Sequence, residues 1–278
     1  MALQERMHAA TAPVGVFDSG VGGLSVLRAL HALLPGERLL YVADSAHAPY
    51  GDKPAAYVQA RAEHALDRLR ALGCKAAVVA CNTVTGLSIE ALRARHPGWP
   101  IVAIEPAVKP AAQRTRRGII GVLATRNTVD SPGLARLIVR HAGGVQVLAR
   151  ACPGWAERVE RGELEGPATE VAVAQQVRPL VEAGADVLVL GCTHYPFLRP
   201  VIERIAGPGV EVLDPAPAVA RELQRRLQAL DLLAPAGPPA ADLPLLTSGD
   251  PAIVGAVAQR LLGPAPRVQA QPLDQEAG

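Results

Sequence analysis

Short runs of Val, Leu, Ile and Ala recur along the chain, and segments with a helical spacing of apolar residues separate them. Apolar runs of about four to eight residues that alternate with helices are typical of buried strands in a parallel sheet. We predict strands at residues 14–17, 39–43, 76–80, 101–104, 119–124, 145–149, 186–191 and 210–213. This alternation predicts an α/β fold.

Proline, serine and glycine indicate where the intervening helices begin and end. In residues 54–73, Pro54 suits the first turn of a helix and Gly73 suits its C-terminal end. Residues 131–144 follow the same pattern, with Ser131 as the N-cap and a proline at the first helical position. Both segments are therefore predicted to be helices that connect strands.

The C-terminal part of the chain differs in composition from the rest. Residues 234–244 form a connector rich in Pro and Ala, and residues 245–263 have the pattern of one more strand and helix. Residues 264–278 combine Pro, Gln and charged residues with few large apolar ones. We predict that this last segment is a disordered tail.

The strand pattern occurs twice along the chain. GVFDSG, which starts at Gly15, and GVLATRNT, which starts at Gly121, both begin with glycine and lead into a polar loop. A later strand in each half ends in cysteine, at Cys81 and Cys192, which follow the leading glycines by 66 and 71 residues. We infer two similar halves with equivalent cysteines, and chance similarity between two α/β units is the alternative. Because parallel sheets bind ligands at the carboxyl ends of their strands, the two cysteines could face one cleft.

Charge and composition narrow the function classes. Lys and Arg total 28 against 26 Asp and Glu, the formal net charge is +2, and aromatic residues make up 3% of the chain. Without a strong basic field or stacking aromatics, nucleic acid is not expected as a ligand. No run approaches the roughly 20 apolar residues that span a bilayer, and the N-terminus does not look like a secretion signal, so a cytoplasmic protein is expected.

Four cysteines lie far apart in the sequence, at Cys74, Cys81, Cys152 and Cys192. A chain without a secretion signal is not expected to pair them in disulfides. The sequence has no CxxC and no histidine at zinc-finger spacing, so a metal site is not expected either. The cysteines are therefore either buried structural residues or reactive thiols.

Polar residues directly follow the cysteines at positions 81 and 192. Asn82 and Thr83 follow the first, and Thr193 and His194 follow the second. A thiol at a strand end that faces the N-terminus of a helix has its pKa lowered from about 8.5 by the helix dipole and nearby N–H groups. We therefore predict that these two thiols are tuned for acid and base chemistry.

Two loops at predicted strand ends are rich in hydrogen-bonding groups, DSGVGG at 18–23 and ADSAHAPYG at 43–51. The first does not fit a dinucleotide-binding motif, because Ser25 stands where the third glycine is required, and the sequence has no P-loop motif. Gly22 and Gly23 instead allow a tight turn that can direct N–H groups toward a carboxylate.

Six motifs resemble, in order, those of the glutamate racemases of bacterial cell-wall synthesis: FDSGVGGLSVL, ADSAHAPYG, ACNT, IEPAVKPA, GVLAT and LGCTHYPFL. The resemblance implies two pseudo-symmetric α/β domains, each a mainly parallel sheet flanked by helices, with the active site in the cleft between them. The first domain would comprise residues 1–105 and 214–278, and the second residues 106–213. An isomerase with no cofactor and no metal is implied, which supplies D-glutamate for peptidoglycan synthesis.

The resemblance also assigns roles to residues at matching positions. Cys81 would be the base toward D-glutamate and Cys192 the base toward L-glutamate, with Asp18 assisting the first and His194 the second. Without the resemblance, Asp18 would be interpreted as a loop-capping carboxylate and His194 as a strand-end histidine. Substrate contacts are expected from Asp18, Ser19, Tyr50, Gly51, Asn82, Thr83, Thr193 and His194.

The chemistry of racemisation explains why two bases are expected. Inversion by proton transfer removes the α-hydrogen from one face of the substrate and returns a proton to the other. Many such enzymes use pyridoxal phosphate bound to a lysine as an electron sink, but Lys53, Lys75 and Lys109 lie in no recognisable cofactor motif. Hydrogen bonds to the substrate carboxylate would then have to stabilise the carbanion.

Several residues depart from the family pattern. Asn127 stands where a glycine is common, and Glu160 falls at a glutamate that relatives use near the site, with its role here left open. Cys74 and Cys152 match no catalytic position, and we predict that both are structural.

Two alternative functions remain. A sister enzyme with the same paired thiols, an aspartate or hydantoin racemase, would differ in its substrate, and DSGVGG together with PYG favours glutamate. A non-catalytic regulatory protein would keep the fold without the chemistry, and the intact cysteines with their polar neighbours argue against it. Relatives are often dimers, so the resemblance implies a homodimer as well.

Overall fold

A computed structural model describes residues 9–238, 241–264 and 266–273. The strands are β1 (Val14–Asp18), β2 (Leu39–Ala43), β3 (Ala76–Val79), β4 (Ile101–Ala103), β5 (Ile119–Ala124), β6 (Gln146–Ala151), β7 (Val187–Gly191), β8 (Glu211–Leu213), β9 (Asp242–Thr247) and β10 (Arg267–Pro272). The helices are α1 (Leu24–Leu33), α2 (Ala55–Ala71), α3 (Asn82–Arg95), α4 (Val108–Arg114), α5 (Arg126–Val129), α6 (Pro132–His141), α7 (Trp155–Glu160), α8 (Pro167–Glu182), α9 (Arg199–Ala206), α10 (Ala216–Ala229) and α11 (Pro251–Leu262).

The strands form two sheets, both entirely parallel. The first has the order β10-β9-β2-β1-β3-β4, and the second has the order β6-β5-β7-β8. Strands β1, β3, β5 and β7 are buried almost throughout, as parallel strands covered by helices on both faces are expected to be. The α/β class predicted from the apolar runs is confirmed.

The two sheets repeat one arrangement. The order β2-β1-β3-β4 in the first sheet corresponds to β6-β5-β7-β8 in the second, so β1 matches β5 and β3 matches β7. The leading glycine of each half packs closely against a leucine side chain. A Cβ at Gly15 would lie 2.7 Å from the Leu69 side chain, and one at Gly121 would lie 2.8 Å from that of Leu180. The two similar halves inferred from the sequence are therefore confirmed.

Helix ends follow the predicted residues closely. Ser131 is the N-cap of α6, where its hydroxyl accepts a hydrogen bond from the Leu134 N–H (3.1 Å), and Pro132 is the first helical residue. Helix α2 begins directly after Pro54 and ends just before Gly73, which has a φ of +77°. Each residue type suits the local backbone that it stabilises.

The predicted disordered tail at residues 264–278 is wrong for residues 267–272. These residues form β10, the edge strand of the first sheet, which pairs in parallel with β9 from Arg267 to Pro272. Only alternate side chains of β10, those of Val268 and Ala270, pack against the core, so the strand lacks the continuous apolar run of the others. Residues 265 and 274–278 lie outside the described residues.

The carboxyl ends of β1 and β3 lie next to each other in the first sheet, as do those of β5 and β7 in the second. The polar loops that follow these four strands carry the residues predicted for the site, together with the loop after β2. In the part of the chain that the structure describes, no helix is long and apolar enough to cross a membrane.

Candidate active site

A small cavity lies between the carboxyl ends of the two sheets. It has about 250 Å³ of space free of protein atoms, part of it open to solvent, and only about 10 Å³ can hold the centre of a water molecule. Every predicted site residue except Asp18 lines it. The full lining comprises Ser19, Pro49, Tyr50, Gly51, Cys81, Asn82, Thr83, Thr125, Ala156, Cys192, Thr193 and His194. Cys81 and Cys192, from different sheets, therefore face one space.

Cys81 lies between β3 and α3 and is the N-cap residue of α3. Its Sγ donates to Ser19 Oγ at 3.8 Å. Burial raises the pKa of the Cys81 thiol well above its ordinary value, the charge of Asp18 raises it further, and the Val84 N–H only partly opposes them. The pKa lowering predicted from the helix N-terminus is therefore wrong for Cys81, because desolvation of the thiolate outweighs the helix N–H groups.

Cys192 follows β7 and differs from Cys81 in its surroundings. An α-helix does not start immediately after it: a 3-10 turn spans Tyr195–Leu198, and α9 begins only at Arg199. The predicted helix N-terminus is therefore missing at this thiol. Instead, the Sγ of Cys192 lies 3.5 Å from Nδ1 of His194. The neighbour of this thiol is therefore the imidazole of His194 and not the N-terminus of an α-helix.

His194 is fully enclosed between Cys192 and a carboxylate. Its Nε2 lies 2.6 Å from Oε1 of Glu160, at the end of α7. Burial by itself lowers the pKa of His194, but the hydrogen bonds to Cys192 and Glu160 outweigh it, and the pKa is well above 6.5. The same Oε1 accepts the Val21 N–H at 2.8 Å. Glu160 therefore joins the glycine loop of the first half to the histidine of the second.

Asp18 is the last residue of β1 and is completely buried. Its Oδ2 accepts the Gly23 N–H at 2.7 Å and the Thr193 hydroxyl at 3.4 Å, so the glycine loop directs its N–H toward this carboxylate of the protein. Burial raises the pKa of Asp18, and the charge of His194 opposes that rise only in part. Among the described residues, Oδ1 has no hydrogen-bond partner. The carboxyl influences Cys81 through its charge rather than through a hydrogen bond.

Tyr50 and Gly51 form one wall of the cavity. The Tyr50 hydroxyl donates to Asp44, whose carboxylate also accepts Arg61 Nε at 2.8 Å and a second Arg61 nitrogen at 2.6 Å. Gly51 faces Thr125 so closely that a Cβ on it would lie 3.1 Å from the Thr125 Cβ. The wall is therefore held from behind by a partly buried ion pair and packed in front against the other half.

The remaining predicted residues face the cavity from both halves. Both side-chain polar atoms of Asn82 are buried, and neither has a hydrogen-bond partner within the described part of the chain. Thr83 Oγ1 lies 2.9 Å from Oγ1 of Thr125. Ser19 contacts Cys81, and Thr193 contacts Asp18. A free amide and several hydroxyls therefore surround the space between the thiols.

Three contributors to this site have no role assigned from the sequence: Thr125, Glu160 and the pair of Asp44 and Arg61. Thr125 belongs to the GVLAT motif, and its place directly after β5, equivalent to that of Ser19 after β1, was the signal that could have found it. Glu160 was left without a role, and the structure places it against His194. The Asp44 and Arg61 pair has no local signal, because the two residues lie 17 positions apart on different elements.

The other two cysteines lie outside the cavity lining. Burial raises the pKa of Cys74 to about 12, and burial likewise raises that of Cys152. All four cysteines are free thiols. Among the residues that the structure describes, no group of three or more His, Cys, Asp and Glu side chains could hold a metal ion.

The fold and the cavity define an α/β protein in two similar halves, each of which contributes one thiol to a shared site. A family model described as Asp/Glu/Hydantoin racemase matches residues 14–223. A glutamate racemase of Pseudomonas entomophila is 48% identical over 267 residues, which are 96% of this chain and 100% of that protein. The chain belongs to the Asp/Glu/Hydantoin racemase family.

Solved structures show the same architecture. The glutamate racemase of Francisella tularensis in complex with D-glutamate superposes with a TM-score of 0.81 at 26% identity, over 95% of this chain and 99% of that one. The Escherichia coli glutamate racemase in complex with L-glutamate and an activator gives a TM-score of 0.80 at 31% identity, over 94% of this chain and 98% of that one. Each superposition spans more than nine-tenths of the present protein.

Proposed function

We propose that this protein is a glutamate racemase, which interconverts L- and D-glutamate through two cysteine acid–base groups. The observation that carries the proposal is the meeting of Cys81 and Cys192, from equivalent strand ends of two sheets, at one cavity. A single side chain cannot easily reach both faces of an α-carbon, whereas two thiols on opposite walls can. Glutamate is the substrate named for the relatives that match over most of the chain.

The proposed reaction transfers one proton off the substrate and one onto it. From L-glutamate, the Cys192 thiolate removes the α-hydrogen, and the electron pair stays on the substrate as a carbanion. Cys81 then gives its thiol proton to the opposite face, which produces D-glutamate and leaves Cys81 as thiolate. The reverse reaction uses Cys81 as the base, so the two directions differ only in which thiol starts deprotonated.

The surroundings of the two thiols support this assignment. Cys81 has a raised pKa and therefore rests as the protonated acid. His194 has a raised pKa, and its Nδ1 lies 3.5 Å from the Cys192 sulfur, so the imidazolium charge stands next to the second thiol. Glu160 positions the imidazole, and its hydrogen bond favours the protonated form of His194.

Hydrogen bonds would stabilise the carbanion, since we propose that the reaction uses neither pyridoxal phosphate nor a metal. The unpartnered amide of Asn82 and the hydroxyls of Ser19, Thr83 and Thr193 can donate to the carboxylate on which negative charge develops. Tyr50 and Gly51 close the cavity around the substrate. These donors are already in place, so little reorganisation is needed during reaction.

We further propose the division into domains and the cellular setting. Residues 1–105 with 214–278 would form the first domain and residues 106–213 the second, because the strands of each sheet come from these ranges and α10 packs on α1. Four free thiols suit a reducing cytoplasm. There the product would supply peptidoglycan synthesis, and the protein would act as a homodimer, which its size in solution would test.

The proposal is tested by incubating the fully reduced protein with L-glutamate in D2O without any cofactor. We expect exchange of the α-hydrogen and formation of D-glutamate, followed by chiral chromatography and mass spectrometry. Cys81→Ser and Cys192→Ser should each lose most racemisation, while Cys74→Ser serves as the matched control outside the cavity. Absence of both exchange and D-glutamate in the wild type would refute the proposal, and faster turnover of aspartate would favour the sister racemase.

A further inference from the structure

The short helix α5 of the second half contacts the loop at residues 50–53 of the first half. Asn127 lies in α5 and makes three hydrogen bonds to this loop. Its backbone N–H donates to the Gly51 carbonyl at 2.9 Å, and its side-chain Nδ2 donates to the carbonyls of Tyr50 and Lys53, both at 2.8 Å. One residue therefore binds three of the four peptide units in the loop.

We propose that Asn127 is a positioning residue that clasps the 50–53 loop against the second half and so holds the substrate cavity closed. The inference rests on the proposed function, because it concerns the wall of the same cavity. Asn127 does not line the cavity itself. It acts on substrate through Tyr50 and Gly51.

The chemistry of the side chain fits this role. Carbonyl oxygens only accept hydrogen bonds, so the two partners require an amide nitrogen, which has two hydrogens to donate. Both hydrogens are used, one toward Tyr50 and one toward Lys53. An aspartate of the same shape would present only acceptors and a negative charge to these two carbonyls. A glycine would keep the backbone N–H to Gly51 and lose the other two bonds.

The loop has a separate anchor in its own half. The Tyr50 hydroxyl donates to Asp44, which is paired with Arg61, and the Lys53 N–H donates to the Tyr50 carbonyl at 3.2 Å. These contacts fix the shape of the loop. The contacts from Asn127 fix its place relative to the other half, so loss of the clasp should free the loop without unfolding it.

Because Asn127 fixes the place of the loop and not the thiols, its loss should affect substrate binding more than proton transfer. Closure of the wall formed by Tyr50 and Gly51 contributes to substrate binding, whereas proton transfer depends on the thiols and His194. We expect Asn127→Asp to raise KM for L- and D-glutamate roughly tenfold, as the loss of two hydrogen bonds would, with kcat changed by less than about twofold. Asn127→Gly should raise KM less, because it loses the same two side-chain bonds but adds no negative charge beside the carbonyls.

The test compares these two variants with Asp130→Ala, a substitution at the exposed end of the same helix. Steady-state kinetics give KM and kcat, and hydrogen–deuterium exchange without substrate reports on the amides of residues 51–53. The proposal expects faster exchange in this loop and a higher KM in both Asn127 variants, and wild-type values in Asp130→Ala.

Unchanged KM in both Asn127 variants would overturn the proposal, even with faster exchange, because the contact would then be merely structural. Unchanged exchange in both would overturn it too. If Asn127→Asp fails to fold, Asn127→Gly carries the same comparison. An inactive wild type would count against the proposed function instead, and the exchange measurement would still decide whether Asn127 holds the loop.

Discussion

The imidazole of His194 lies between a thiol and a carboxylate, and these neighbours decide its charge. Burial favours the neutral ring, yet the contacts to Cys192 and Glu160 raise the pKa of His194 well above its ordinary value. The imidazolium is therefore present below that raised pKa and is lost as the pH rises through it. The positive charge beside Cys192 consequently depends on Glu160.

Replacing Glu160 by glutamine tests this dependence. The amide oxygen can still accept the Val21 N–H, but the negative charge is lost, so the pKa of His194 should fall. We expect the alkaline limb of the pH profile of kcat/KM to move to lower pH, while the acid limb stays in place. Glu163→Gln, which removes an exposed carboxylate shortly after α7, is the control. An alkaline limb at the wild-type position would contradict this account.

Gly22 is required by the close approach of the second half rather than by its backbone conformation. A Cβ at this position would lie 2.6 Å from Cε1 and 2.7 Å from Cγ of His194, well inside contact distance. Because the ring is fixed by Cys192 and Glu160, it has little freedom to move away. Gly22 therefore leaves the space that the His194 ring of the second half occupies.

Gly22→Ala should displace the imidazole or separate the two halves locally. We expect kcat/KM to fall by about a hundredfold, the size of effect that a misplacement of roughly 1 Å produces. Gly144→Ala is the matched control, since a Cβ there meets no atom within 4 Å. Equal activity of the two variants in a racemisation assay would show that the close approach has no role.

At the scale of elements, β10 and the residue that follows it complete the first sheet. Leu273 is 1% exposed and packs in the cluster that contains Phe17 and Leu66. Its N–H donates to the Thr247 carbonyl at 2.7 Å, and its carbonyl accepts Arg68 Nε at 3.2 Å. The C-terminal segment is therefore part of the core and not an appendage.

Leu273→Ala should lower the free energy of unfolding by about 2–4 kcal/mol, as loss of a buried leucine side chain does. Gln271→Ala, on the exposed side of the same strand, should change it by less than about 0.5 kcal/mol. Urea denaturation followed by circular dichroism measures both. An unchanged free energy of unfolding in Leu273→Ala would instead support the disordered tail that the composition predicted.

The sequence predicts elements better than it predicts their partners. The buried parallel strands were found almost to the residue, because a short run that is apolar on both faces is typical of such strands. Edge strand β10 was missed, since only Val268 and Ala270 face the core. The electrostatics of Cys81 were also missed, because burial is a property of the folded chain.

The same limit applies to the site. Strand-end cysteines with polar neighbours could be located from local pattern alone. Glu160 reaches Val21 across 139 positions and His194 across 34, and Asn127 reaches Tyr50 across 77. Such contacts depend on how distant segments pack and, for Val21 and Tyr50, on how the two halves meet, which no local pattern contains. The unpredicted part of the site is therefore its long-range contacts, some within one half and some between the halves.

At the scale of the whole molecule, the site exists only where the two halves meet. Ser25 Oγ of the first half donates to the Thr193 carbonyl of the second at 2.9 Å, and Thr83 contacts Thr125 beside the cavity. The cavity holds about one water molecule, so glutamate requires the halves to separate and close again. Both thiols should therefore become accessible and protected together.

Alkylation measures this coupling directly. Cys81 and Cys192 are 4% and 6% exposed, and a substrate between the halves covers both, so glutamate should slow their reaction with iodoacetamide in parallel. Mass spectrometry of each cysteine peptide should give the same half-effect concentration for the two thiols, with either enantiomer. Cys74, buried away from the cavity, should show no dependence on glutamate. Protection of one thiol without the other would mean that substrate binds one half only, and the two strand ends would then not act as one site.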